Sequence, residues 1–198
     1  VSTYAKAETL VGAVVAPLGW VRSVALVFAF SLLVALAAQV AVPLPWTPVP
    51  VTGQTFAVLL AGALLGSRLG ALALVAYLAE GAVGLPFFSG GGGGPQFFAG
   101  PTAGYLLAFP VAAFVTGYLA ERGWDRRVMT AASAMALGSV VILAGGWAWL
   151  AVLTGSASSA FALGVEPFVV GDVIKIALAA AALPLGWKLL RRRDTRGA

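Results

Sequence analysis

The sequence predicts an all-α membrane protein: a single integral domain over residues 1–198 with six transmembrane helices and both termini in the cytoplasm. Three observations carry that prediction. The chain is 61% hydrophobic and only 10% charged, with a mean hydropathy of +0.98. Soluble domains carry about 25% charged residues, so most of this surface must meet lipid. Apolar runs recur along the whole chain, separated by short polar or Gly/Pro-rich turns. Finally, eleven of the twelve Lys and Arg residues fall near the ends of those runs, and the twelfth is Lys175.

The approximate spans are 22–42, 54–66, 68–85, 101–120, 128–153 and 166–190. Residues 1–19 form a mixed leader. Ala35-Leu36-Ala37, within the first span, resembles a signal-peptidase site. Cleavage there is disfavoured, because the charge pattern requires this segment to stay as a span. Pro43–Gly53 is proline-rich and cannot be helical throughout. The second span is short of the roughly 20 residues needed to cross, unless the turn from Val49 lies at membrane depth. A single long span over 56–85 would strand Arg68 in mid-bilayer, so two spans meeting at Ser67-Arg68 are preferred. Pro86–Gly100 is a loop with five consecutive glycines, Gly90–Gly94, between two Phe pairs; such glycines suit a flexible lid. Glu121–Arg127 is a charged turn, Thr154–Val165 a Ser/Ala-rich loop, and Arg191–Ala198 a basic tail.

With six spans, Lys6, Arg22, Arg68, Arg122, Arg126, Arg127, Lys188, Arg191–Arg193 and Arg196 all face one side. The loops at 43–53, 86–100 and 154–166 hold no Lys or Arg. That distribution puts the termini inside. Trp20, Trp124 and Trp187 then mark the inner interface, and Trp46, Trp147 and Trp149 the outer one. Gly62, Gly66 and Gly70 repeat at the four-residue spacing that lets helices approach closely in lipid. Ala25 and Ala29 repeat in the same way on the first span and are candidates for docking a partner protein.

Function is constrained by what is missing. No Cys or His occurs, which excludes thiol and imidazole chemistry and most metal sites. No second intramembrane Asp and no Ser beside Lys175 offer a hydrolase, so the chain is not expected to be an enzyme or to use a cofactor. The glycine run lacks the Lys and hydroxyl of a phosphate-binding loop. Basic residues at span ends do not point to nucleic acid. What remains is G-V-E-P-F-V-V-G-D-V-I-K at 164–175. Asp172 and Lys175 share one helix face, a turn apart, inside an apolar run. An intramembrane charge costs at least a few kcal/mol and marks a functional-site candidate; a self-neutralising structural pair is the alternative. The topology gathers Gln54, Tyr77, Glu80, Thr102 and Tyr105 on the same outer side, beneath the uncharged loops. That is the layout of an outward-facing pocket with apolar walls and a few polar groups.

Five segments in order resemble one family: V-P-V-T-G-Q-T-F (49–56), L-L-A-G-A-L-L-G-S-R-L-G (59–70), Y-L-A-E-G-A-V-G-L-P-F-F (77–88), G-P-T-A-G-Y-L (100–106) and P-F-V-V-G-D-V-I-K (167–175). Together they closely resemble BioY, the biotin-specific substrate-binding (S) components of energy-coupling-factor (ECF) vitamin transporters, over about 22–190. The resemblance implies high-affinity capture of biotin from outside, for ATP-driven import by partners. Those would be a transmembrane coupling (T) subunit and two cytoplasmic ATPase subunits, in a bacterial or archaeal cytoplasmic membrane. It implies ligand contacts from Asp172 and Lys175. Thr52, Gln54, Tyr77, Phe87, Phe88, Thr102 and Tyr105 complete the candidate binding set, and Ala25/Ala29 fit the docking motif of the first helix, as do Ala37/Ala41. Binding of another small vitamin, or solitary biotin transport without coupling subunits, are the alternatives.

Overall fold

The computed structural model describes residues 9–15 and 19–194, with the side chains of 191, 193 and 194 excluded. Lys6 and Arg196 lie outside the described residues. Eight α-helices occur among them: α1 (Leu10–Val15), α2 (Trp20–Gln39), α3 (Gln54–Leu65), α4 (Ser67–Ala82), α5 (Ala103–Glu121), α6 (Val128–Thr154), α7 (Ala157–Gly164) and α8 (Glu166–Asp194). Each of the six predicted spans corresponds to one helix. By length and composition, α2, α5, α6 and α8 can cross a membrane. At 1.5 Å per residue, the 12 residues of α3 reach only about 18 Å and the 16 of α4 about 24 Å.

The break between α3 and α4 falls at Gly66, whose φ of 88° suits glycine. It lets the two helices fold back on each other with almost nothing between them: a Cβ on Gly70 would lie 2.8 Å from the Gly62 Cα. Gly62 also meets α5, where an added Cβ would stand 2.3 Å from the Ala113 carbonyl oxygen. On the far side of α5, Gly104 abuts Gly145 of α6 equally closely. The repeated glycines are therefore packing positions, and α5 is the hub. Fully 56% of its apolar window is buried, against 22–28% for α2, α6 and α8. Ala25 and Ala29, by contrast, are exposed on α2.

Loops 40–53, 83–102 and 155–165 gather at one end of the bundle, joined by bonds such as Thr47 Oγ1 to the Leu163 carbonyl (2.6 Å) and Trp149 Nε1 to that of Gly100 (2.9 Å). In the first, α2 stops at Gln39, and Ala41–Val42 (β1) pairs antiparallel with Val51–Thr52 (β2). The glycine-rich segment is folded around its phenylalanines in two 3-10 turns, Ser89–Gly91 and Pro95–Phe98. Phe88 packs on Gly81 and Phe97 on Gly92, positions where a Cβ would collide with the rings.

Two expectations are corrected. The 154–165 stretch is not simply a loop, because it contains α7, started by Ser156, whose hydroxyl accepts from the Ser159 amide (3.3 Å). Trp187 is not an interface residue: it is 2% exposed, and its indole donates to Asp125 Oδ2 at 2.5 Å beneath the Arg126 guanidinium. Its partners come from the α5–α6 turn, a tertiary contact that hydropathy does not reveal.

Candidate functional site

The site is built from the start of α8. Pro167 sits in its first turn, where proline is tolerated because the early amides have no intrahelical acceptor. Five residues on, Asp172 is buried, and Lys175 follows on the same face, its side chain 17% exposed. Lys175 Nζ lies 3.5 Å from Asp172 Oδ1 and donates to Thr55 Oγ1 of α3 at 2.7 Å. Asp172 Oδ2 accepts from the Ser139 hydroxyl of α6. Three helices that share few other polar groups are thus joined at one charged pair.

This pair lies on the wall of a small, partly open cavity of about 40 Å³. Of the candidate binding residues, Thr52, Gln54, Phe88, Thr102, Tyr105, Asp172 and Lys175 line it. Val49 and Pro50 enter from the first loop, and Ser89 and Phe97 from the glycine-rich one. The remaining wall is apolar, from Leu106, Phe109, Ile142, Leu143 and Phe168. Thr52 prepares its neighbour: its hydroxyl donates to Gln54 Oε1 (3.2 Å) and also accepts from the Gln54 amide (3.3 Å) at the start of α3. Tyr105 is held by its hydroxyl on the Gly164 carbonyl at 2.6 Å and packs against Phe168.

Tyr77 and Phe87 are predicted contacts that stand behind the cavity wall. The fully buried Tyr77 hydroxyl accepts from Gln54 Nε2 and donates to the Phe87 carbonyl at 3.2 Å. The Phe87 ring stacks on Tyr77 with centroids 6.5 Å apart. Together they therefore touch Gln54 and the loop and not the cavity. Phe98 and the Trp147/Trp149 pair are also outside the wall. Glu80 is outside it too.

Thr55 and Ser139 escaped sequence reasoning. Thr55 adjoins Gln54 and could have been found from the same motif. Ser139 is one of two serines within the apolar run of α6, and only the fold brings it to Asp172.

Chemically, the cavity pairs one anionic acceptor with one cationic donor, adds neutral amide and hydroxyl groups, and is otherwise apolar. It suits a small, largely hydrophobic molecule that carries a few hydrogen-bond donors and acceptors.

Comparison with known proteins is decisive at this point. Residues 6–192 match the family model described as the BioY family. The chain belongs to the BioY family. It is 44% identical over 158 residues to the probable biotin transporter BioY of Pyrococcus horikoshii, covering 80% of this chain and 91% of that one. It is 41% identical over 173 residues to the biotin transporter BioY of Rhizobium etli, covering 82% and 92% respectively. Its fold resembles the crystal structure of the S-component for biotin from an ECF-type ABC transporter. There the TM-score is 0.76 at 25% identity, over 83% of this chain and 89% of that one. Membership in this family makes the chain a multi-pass membrane protein of transport and not an enzyme.

Proposed function

We propose that this chain is the biotin-binding S component of an ECF-type transporter, with the ligand held in the cavity beside Asp172 and Lys175. The observation that carries it is the charged pair, with Asp172 buried and Lys175 partly so, at the wall of a small apolar cavity in a chain of the BioY family. Biotin has an apolar bicycle, a ureido group that both donates and accepts, and a carboxylate tail. Ionised Asp172 accepts from the ureido N–H groups, and Lys175 donates to the ureido carbonyl. Phe88, Phe97 and Phe168 enclose the bicycle, while Thr52, Gln54, Thr102 and Tyr105 supply neutral contacts. Tyr77 and Phe87 support Gln54 and the loop from behind.

All six long helical segments cross the membrane as one domain over 1–198, α3 and α4 as short, closely paired crossings. Arg22, Arg68, Arg122, Arg126, Arg127 and Lys188 lie at the cytoplasmic end under this reading, with both termini. The uncharged loops and the cavity then face outward, and the glycine-rich segment acts as the lid. The chain lies in the cytoplasmic membrane of a bacterium or archaeon. It has no energy source of its own, so a transmembrane T subunit and two cytoplasmic ATPase subunits drive release inward. The exposed Ala25/Ala29 positions on α2 are where the T subunit docks.

Binding of labelled biotin to the purified, detergent-solubilised chain, with biotin precursors and other vitamins as competitors, tests the proposal. Tight, stoichiometric, biotin-selective binding is expected. A well-folded sample that binds no biotin, or prefers another vitamin, would overturn it.

A further inference from the structure

Serine within an apolar helix usually satisfies its hydroxyl on the carbonyl four residues back. Ser133 does this on α6, donating to Met129 at 3.0 Å. Ser139 does not. Although 4% exposed and surrounded by apolar residues, it sends its proton across the helix interface to Asp172 Oδ2. It is absent from the cavity wall, yet Ile142 and Leu143, three and four residues on along the same helix face, form part of that wall. Ser139 therefore stands one turn below the wall, behind the carboxylate.

We infer that Ser139 is a positioning residue for ligand binding: it pins Oδ2 of Asp172 from behind, so that Oδ1 stays beside Lys175 and available to the cavity. The inference rests on the reading of Asp172 as a ligand contact. A carboxylate accepts at both oxygens and turns easily about its last torsion. Unpinned, it would rotate to present both oxygens to Lys175, and the two charges would satisfy each other instead of a ligand. Thr55 restrains the cation from the other side, with its hydroxyl 2.7 Å from Nζ. The charged pair is thus held partly apart by one hydroxyl from each of two other helices, leaving the 3.5 Å separation seen between Nζ and Oδ1.

The test is a double-mutant cycle on biotin binding to the solubilised full chain, comparing wild type, Ser139→Ala, Asp172→Asn and the double variant, with Ser133→Ala as a control. Ser139→Ala should weaken binding by about tenfold, the scale of a lost bond to a charged group. In the Asp172→Asn background the same change should cost less than twofold, because a neutral amide is not drawn round to Lys175 and needs no pin. Ser133→Ala should bind as wild type. Ser139→Cys, similar in shape but a weak donor, should reproduce the alanine result and serves if the alanine variant fails to fold. Wild-type affinity in Ser139→Ala or Ser139→Cys, or losses that add fully with Asp172→Asn, would overturn the inference alone. A wild-type chain that binds no biotin would instead overturn the functional reading on which it rests.

Discussion

Neutralising one member of the Asp172–Lys175 pair should harm binding more than neutralising both does in proportion. The side chains of Asp172 and Lys175 are 9% and 17% exposed, and their charged atoms are 3.5 Å apart. Asp172→Asn keeps the shape and an oxygen for Ser139, but removes the charge that strengthens a bond to ligand N–H groups and balances Lys175. A hydrogen bond to a charged group contributes about 1.5–3 kcal/mol. At about 1.4 kcal/mol per factor of ten, each single neutral variant, Asp172→Asn or Lys175→Met, should bind biotin roughly ten- to a hundredfold more weakly. Part of that loss comes from the partner charge left unbalanced among apolar side chains. The double variant removes this part, so its loss should fall well short of the product of the two single losses. Equilibrium dialysis with labelled biotin measures all four affinities, and thermal unfolding in detergent checks that each variant is folded. A folded Asp172→Asn or Lys175→Met that binds like wild type would refute the assignment. Fully multiplicative losses would refute the coupling.

Tyr77→Phe should weaken biotin binding about fivefold by calorimetric titration, since it removes the hydroxyl that holds Gln54 at the cavity wall, a bond worth about 1 kcal/mol; unchanged affinity would mean Thr52 alone positions Gln54. Gly62→Ala places a methyl 2.3 Å from the Ala113 carbonyl oxygen, so unfolding should become easier by about 1–3 kcal/mol, whereas wild-type stability would show that α3 and α5 are not in close contact. Burial raises the pKa of Asp125, in the α5–α6 turn, above its ordinary 3.8, against the opposing pull of the Trp187 indole and the Arg126 charge. The stability contributed by the protonated form is then complete below that ordinary value and is lost as pH rises through the higher folded-state value. Melting temperatures across that window should show a slope that Asp125→Asn flattens; an equal slope in the variant would exclude Asp125 as its source.

Hydropathy and charge placed the helices well because lipid leaves the backbone few choices. Residues 128–153, read as a span, became α6 with one residue more, and the Ser67-Arg68 break was found one residue from the Gly66 turn. Ends were read less well where local chemistry decides them. The 22–42 run is apolar to its last residue, yet α2 stops at Gln39 because the next residues pair with Val51–Thr52. The fourth helix ends at Ala82, before Gly84 with its φ of 103°. Within the site, Asp172 and Lys175 stood out because charges are rare in such a run. Ser139 did not, nor outside the site did Trp187, since a serine or tryptophan in an apolar helix has several ordinary explanations. Only the neighbouring helix decides between them. Tyr77 and Phe87 share their motif with a true wall residue, Phe88, and one sequence segment cannot say which side of a wall each ring occupies.

The short third helix explains where the cavity can be. Lys175 is nine residues into α8, about 14 Å from its start, and yet it reaches Thr55 in the first turn of α3. The start of α3 is therefore level with a point about a third of the way along α8 and not with its end. The proline-rich segment must descend into the bundle to reach it, carrying Val49, Pro50 and Thr52 to the cavity wall. Non-helical backbone is tolerated at such depth only where protein encloses it or it lines a cavity, and here β1–β2 pairing and the Thr52–Gln54 bonds satisfy part of it. A third helix of ordinary length would run through the space those residues leave and fill the pocket with its own side chains. The segment that looked too short to cross is short because its missing turns are where the cavity lies.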